Sequence, residues 1–275
     1  VYTSGLPSWT MGPWSVGFPN WPSDRNALHR FPRSPTIPTT KSGTQGQGID
    51  ANAVSLNGLA LFNCLDGQSY AAASGQVTFN GDRIWQRTAP AGEGDTMDRN
   101  NAHQQNTGMY HNHANPLALR YLMGDNVSMN ATTKRYSEIP GTPAQHSPLL
   151  GWMRDGLPIY GPYGYSSSLN PNSGIRRMVS GFVLRDGATT GVDNLTITGR
   201  TALPAWALRN NNNTAATGPA VSTTYPLGRY IQDSAYLGDL VKSGTTKYAQ
   251  GTDFDLNEYN AVSYTHLTLP TNREV

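Results

Sequence analysis

Gly108-Met109-Tyr110-His111-Asn112-His113-Ala114-Asn115-Pro116 is the stretch that decides how this chain is read. Gly and Pro bound a short segment that reads as a strand. Side chains alternate along a strand, so His111 and His113 share one face while Tyr110 and Asn112 take the other. The two backbone positions then stand about 7 Å apart. Imidazoles so placed can converge on one metal ion through bonds of about 2.0–2.1 Å. Four of the six histidines fall between residues 103 and 146, so the chain concentrates them in one region.

Outward from this strand the sequence is a series of turns. Asn115-Pro116 reads as the N-cap and first residue of a short helix through Leu117, Leu119, Tyr121 and Leu122, ended by Gly124. Upstream, residues 86–108 read as a polar loop carrying Glu93, Asp95, Asp98 and His103. Val54-Ser55-Leu56, Asn57-Gly58 and Leu59-Ala60-Leu61-Phe62 predict a hairpin, with Asn-Gly supplying the positive φ angles of a type I′ turn. Val77 to Trp85 repeats that signal around Asn80-Gly81, and Asp155-Gly156 predicts a third hairpin. Pro158 and Pro162 confine the second arm of that hairpin to an edge or an irregular path. Phe182-Val183-Leu184 and Leu195-Thr196-Ile197 read as further short strands. The expected fold is all-β: a single sandwich-like domain of short strands with Gly/Pro-rich loops and one or two short helices. Residues 1–45, rich in Pro and Trp, form an N-terminal arm, and 46–261 the β domain.

Composition agrees with a turn-rich protein. Charged residues are 14 % of the chain, below the usual quarter, while 29 glycines and 19 prolines exceed their usual share. A net charge of +2 without a Lys/Arg stripe argues against a nucleic-acid partner. No apolar run is long enough to span a membrane. One cysteine, Cys64, excludes a disulfide framework and reads as a small buried hydrophobe. The glycosylation-type triplets beginning at Asn126, Asn130, Asn194 and Asn212 arise readily in so Asn- and Thr-rich a chain and carry little weight.

Three segments resemble the YHYH family, a group of mostly bacterial, environmental proteins named for a Tyr-His-Tyr-His motif. They are Asn57 through Asn63; Asp98 through His103 to Tyr110-His111-Asn112-His113; and His146-Ser147-Pro148 through Asp155-Gly156-Leu157-Pro158-Ile159-Tyr160-Gly161-Pro162-Tyr163-Gly164. Asp255 through Asn260 resembles a later family segment. The resemblance spans about residues 48–260 and implies an exported β-rich domain, secreted, periplasmic or at the cell surface. At the third motif position this chain has Asn112 where the family has Tyr. Residues 262–275 resemble translated sequencing-adaptor sequence, so the expectation is a non-native tail after Ala261.

The leading site hypothesis is a transition-metal centre built on His111 and His113, with His103 or His146 as a third ligand and Asp98 as a fourth or as an acceptor for an imidazole N–H. Imidazole-rich sets suit Zn, Cu, Ni or Fe, with Cu or Zn favoured here. As an enzyme, such a centre would draw on Tyr110 or Asp155 as proton donor or acceptor, in oxidoreductase or hydrolase chemistry. As a binding module, the aromatic turns from Tyr160 to Tyr165 would meet a cell-surface polysaccharide, with the histidines purely structural. Asp95 and Asp98 as a carboxylate pair, or with Glu93 as a Ca²⁺ site, rank lower because the spacing is not that of the twelve-residue Ca²⁺ loop. Ser147 lacks the Gly-x-Ser-x-Gly elbow of a nucleophile.

Overall fold

The structure, a computed structural model, describes residues 22–35, 51–79, 81–167, 170–210 and 216–262. The adaptor-like tail, apart from Val262, and most of the N-terminal arm lie outside them. Within them the chain folds as a β-rich domain of short strands, as the turn signals require. The first strands are β1 (Ala51–Ser55), β2 (Ala60–Phe62), β3 (Leu65–Ala71), β4 (Gln76–Phe79) and β5 (Gln86–Thr88). A short helix α1 (Ala89–Glu93) precedes β6 (Ala102–Gln104) and β7 (Tyr110–Asn112), and α2 (Leu117–Leu122) follows. Next come β8 (Val127–Met129), β9 (Tyr136–Glu138), β10 (Leu149–Met153), β11 (Pro158–Tyr160), β12 (Tyr163–Tyr165), β13 (Ile175–Arg177) and β14 (Phe182–Leu184). Helices α3 (Leu195–Thr198) and α4 (Ala205–Asn210) precede β15 (Ser234–Tyr236), β16 (Val241–Ser243) and β17 (Thr246–Lys247).

The largest sheet runs β11-β10-β1-β2-β7-β6. Every neighbour pair in it is antiparallel except β2 and β7, which pair in parallel with Ala60 opposite His111. The histidine strand is therefore an inner strand. Three hairpins of this sheet share one turn. Ser55 and Leu59, Gln105 and Met109, and Met153 and Leu157 each enclose three residues, the last a glycine with positive φ: Gly58 at 82°, Gly108 at 81° and Gly156 at 89°. Asn57 keeps a negative φ, so the turn is not type I′ but the three-residue form in which glycine alone takes the left-handed position. Pro158 lies on β11, the sheet edge, where its missing N–H costs no ladder bond.

Two expected strands did not form. Val77 to Phe79 pairs back onto β3 across a turn at Ala72–Gly75, and the segment after Gly81 runs irregularly, with Arg83 at φ 56°. Gly81 packs against the Ser69 backbone, so it serves a close approach rather than a hairpin tip. Leu195-Thr196-Ile197 is helical because Asn194 Oδ1 accepts from Thr196 N as an N-cap and Gly199 ends the turn with positive φ. Among the described residues the short α-helices number four, where the sequence suggested one or two. Cys64 is exposed, not buried.

The main apolar core joins Trp85, Leu203, Trp206, Ala207 and Tyr230, flanked by Phe182, Tyr225 and Tyr236. It draws mostly on the second half of the chain. The large sheet buries polar groups, among them Ser55, His103, Gln104, His111 and Asn112, beside mostly small apolar residues such as Ala51, Ala53, Ala60 and Ala102. No helix among the described residues is long and apolar enough to cross a membrane.

Candidate metal centre

Strand alternation places the side chains of β7 as the sequence predicts. His111 and His113 face one way, with their Nε2 atoms 2.9 Å apart. Tyr110 and Asn112 face the other. His103, expected in a loop, lies on β6 and pairs directly with His111 across the ladder. Three imidazoles thus converge, with one ring nitrogen from each lying within 4.8 Å of the other two, and together they could hold a metal ion. The rings meet edge to face, with centroids 4.6–5.3 Å apart.

Each ring is fixed through its far nitrogen. His111 Nδ1–H donates to the Met109 carbonyl at 3.0 Å, and His113 Nδ1–H donates to the Asn63 carbonyl at 2.6 Å. The Thr96 hydroxyl donates to the Glu93 carbonyl at 2.6 Å, so its oxygen accepts from His103 Nδ1–H at 2.7 Å. With the proton held on Nδ1, each Nε2 carries a lone pair toward the common centre, the arrangement that metal-ligating histidines adopt. Phe62, at the end of β2, stacks on His111 at 3.9 Å and covers that ring.

Burial keeps the cluster neutral. It pushes the His103 pKa down to about 3, helped by His111 and His113. It pushes His111 down to about 4, against the Met109 carbonyl and with His113. His113 is lowered as well, by burial against the Asn63 carbonyl. Glu93 lies beside them: its Oε2 is 3.5 Å from His103 Nε2 and 3.6 Å from His113 Nε2. Burial, and next the nearby Asp66 carboxylate, push its pKa up to about 8, while Arg87 pulls it down.

The remaining sequence candidates lie elsewhere. Asp98 faces the back of the histidine strands. Its Oδ1 accepts from Asn100 N at 2.7 Å and Ala102 N at 3.2 Å, and its Oδ2 accepts from the Tyr110 hydroxyl. Asp98 and Tyr110 therefore hold the turn before β6. His146 Nδ1 donates to the Ser147 carbonyl at 2.7 Å, and its ring packs on Tyr160 and Tyr165. It does not join the triad. Asp155 is exposed in the β10–β11 turn, where Oδ1 accepts from Leu157 N at 3.1 Å. Ser147 donates to Asp125 and accepts from Tyr163 N, a buried structural link. Asn112, at the motif's divergent position, donates to the Asn100 carbonyl at 2.5 Å and the Asn101 carbonyl at 3.0 Å.

Glu93, Thr96, Asn63 and Phe62 are the site residues that the sequence did not reveal as such. Glu93 stood only in a Ca²⁺ reading, and no local pattern ties it to a histidine ten residues on. Asn63 lies in the resembling Asn57–Asn63 segment, which was a usable signal.

A family model described as YHYH protein matches residues 29–272. No curated protein and no solved structure matches the chain. The match covers most of the sequence, including the strand that carries His111 and His113 and the segments that fix them. The chain belongs to the YHYH protein family.

Proposed function

We propose that this protein is a metal-binding β domain whose transition-metal ion is held by Nε2 of His103, His111 and His113. One observation carries the reading. Three buried neutral imidazoles have committed their Nδ1–H groups to a carbonyl or a hydroxyl, and their lone pairs meet in one space. Two such lone pairs 2.9 Å apart repel unless a cation lies between them, and burial disfavours a proton in that role. A borderline divalent ion suits imidazole donors, and Zn or Cu is the metal this reading favours.

Elemental analysis of the purified protein, beside a His111→Ala/His113→Ala variant, tests the reading. Near-stoichiometric Zn or Cu in the parent and its loss in the variant is the expected result. No metal in the parent after loading with Zn, Cu, Ni and Fe in turn would end the reading and leave the histidines as hydrogen-bonding residues.

A further inference from the structure

Resting on that three-histidine centre, we propose that Glu93 is its fourth protein ligand, so that the site is a closed, four-coordinate structural centre rather than an open catalytic one. The geometry of the donor atoms points there. A tetrahedral ion with bonds of about 2.0–2.1 Å has ligand atoms about 3.3 Å apart. Three of the edges around this space are 2.9 Å between His111 and His113, 3.5 Å between His103 and Glu93, and 3.6 Å between His113 and Glu93. Glu93 lies outside the set of donors that are all within 4.8 Å of one another, so its carboxylate would turn toward His111 to complete the tetrahedron.

The carboxylate is there without another task. Glu93 Oε2 is buried and has no hydrogen-bond partner among the described residues. A histidine Nε2 whose ring proton sits on Nδ1 cannot supply one, so with the carboxylate ionised the contacts at 3.5 and 3.6 Å bring acceptor against acceptor. An ion between them turns that repulsion into ligation.

Two features hold Glu93 in this position. Thr96 donates to the Glu93 carbonyl and accepts from His103, so one hydroxyl sets a backbone and a ring of the same site. Gly92 lies against the Asp66–Arg87 ion pair so tightly that a Cβ there would overlap both side chains. That contact seats the end of α1 against β3 and β5. Two of the histidine side chains are 1 % and 3 % exposed and Glu93 is 20 % exposed. Phe62 covers His111. Glu93 is thus the most exposed of these donor side chains, and with its carboxylate as fourth ligand no coordination position is left for a substrate.

Co²⁺ loading of the full chain, read by visible absorption with and without azide, tests this. Wild-type protein should show the intense ligand-field bands of four-coordinate Co²⁺, unchanged by azide. Glu93→Ala should open a position, so that azide shifts its spectrum. Glu93→Gln should weaken Co²⁺ binding at least about tenfold. A wild-type spectrum that is weak and six-coordinate in character, or that azide already shifts, overturns the closed site. A Glu93→Gln spectrum and affinity identical to wild type remove Glu93 from the ligand set while leaving the three histidines standing. Absence of Co²⁺ binding in the wild type would overturn this inference together with the metal centre on which it rests.

Discussion

Asn112 shows how a single side chain can serve the metal site without touching it. Its amide donates to the carbonyls of Asn100 and Asn101 behind the histidine strand. The Asn100 side chain in turn accepts from Ala118 N and Leu119 N at the start of α2. Asn115, expected to cap that helix, instead accepts from Arg120, and Pro116 occupies the cap position. A short buried relay thus runs from β7 through the 98–101 turn to α2. Replacing Asn112 by Ala would leave two carbonyls short of a donor in a place water does not reach. The expected cost is about 1–3 kcal/mol, measured as a lower urea midpoint at unchanged slope. Metal stoichiometry should stay the same, because the histidines project from the other face. A loss below about 0.5 kcal/mol would mean that the carbonyls find other partners.

At the scale of elements, the three-residue turn with glycine in its last position is the repeated device of the large sheet. The β6–β7 copy sets the register that puts His103 opposite His111. Gly108→Ala must hold an alanine at φ 81°, which costs about 1–2 kcal/mol. Relief of that strain shifts the hairpin, so metal affinity should fall with stability. Gly156→Ala is the matched control. It carries the same strain and an overlap with Pro32, so it should be at least as unstable, yet it lies on the far hairpin and should bind metal normally. Equal affinities for the two variants would refute the link between this turn and the site. The same turns explain what the sequence revealed. Strand alternation is a local rule, so the shared face of His111 and His113 was legible, as were the Asn57-Gly58 and Asp155-Gly156 hairpins. The place of His103 depends on hairpin register, and that of Glu93 on how Gly92 meets the Asp66–Arg87 pair. Both are tertiary facts, with no signature in the spacing of residues 92–113.

For the whole molecule, buried charge does work that apolar area does in richer cores. The main apolar cluster draws mostly on the second half of the chain, while α2, β8–β9 and β12–β13 are joined by ions. Arg120, fully buried, donates to Asp125, Asn115 and Glu138. Glu138 also accepts from Arg177, and both arginines lie over the Tyr163 ring. Asp125 accepts from Ser147, which extends the network to the segment just before β10. Burial alone would raise the Glu138 pKa, but its hydrogen bonds to Arg120 and Arg177 outweigh it and hold the group below the usual 4.5. A carboxylate lowered in the folded state contributes stability in full above its unfolded value and loses it as pH falls through the folded one. Wild-type Tm should therefore drop more steeply than that of Glu138→Gln as pH is lowered from about 5. At neutral pH the variant should be the less stable, because Arg120 loses a charged acceptor in a buried place. The gap should then narrow on acidification and close once Glu138 is protonated in both folded and unfolded chains. Asp255, also lowered despite burial because Arg176 binds it, titrates in the same window but is present in both proteins and cancels in the difference. A gap that stays constant from pH 7 to the acid limit would show that Glu138 acts through shape rather than charge. The clamp on α2, β9 and β13 would then owe its strength to packing on Tyr163.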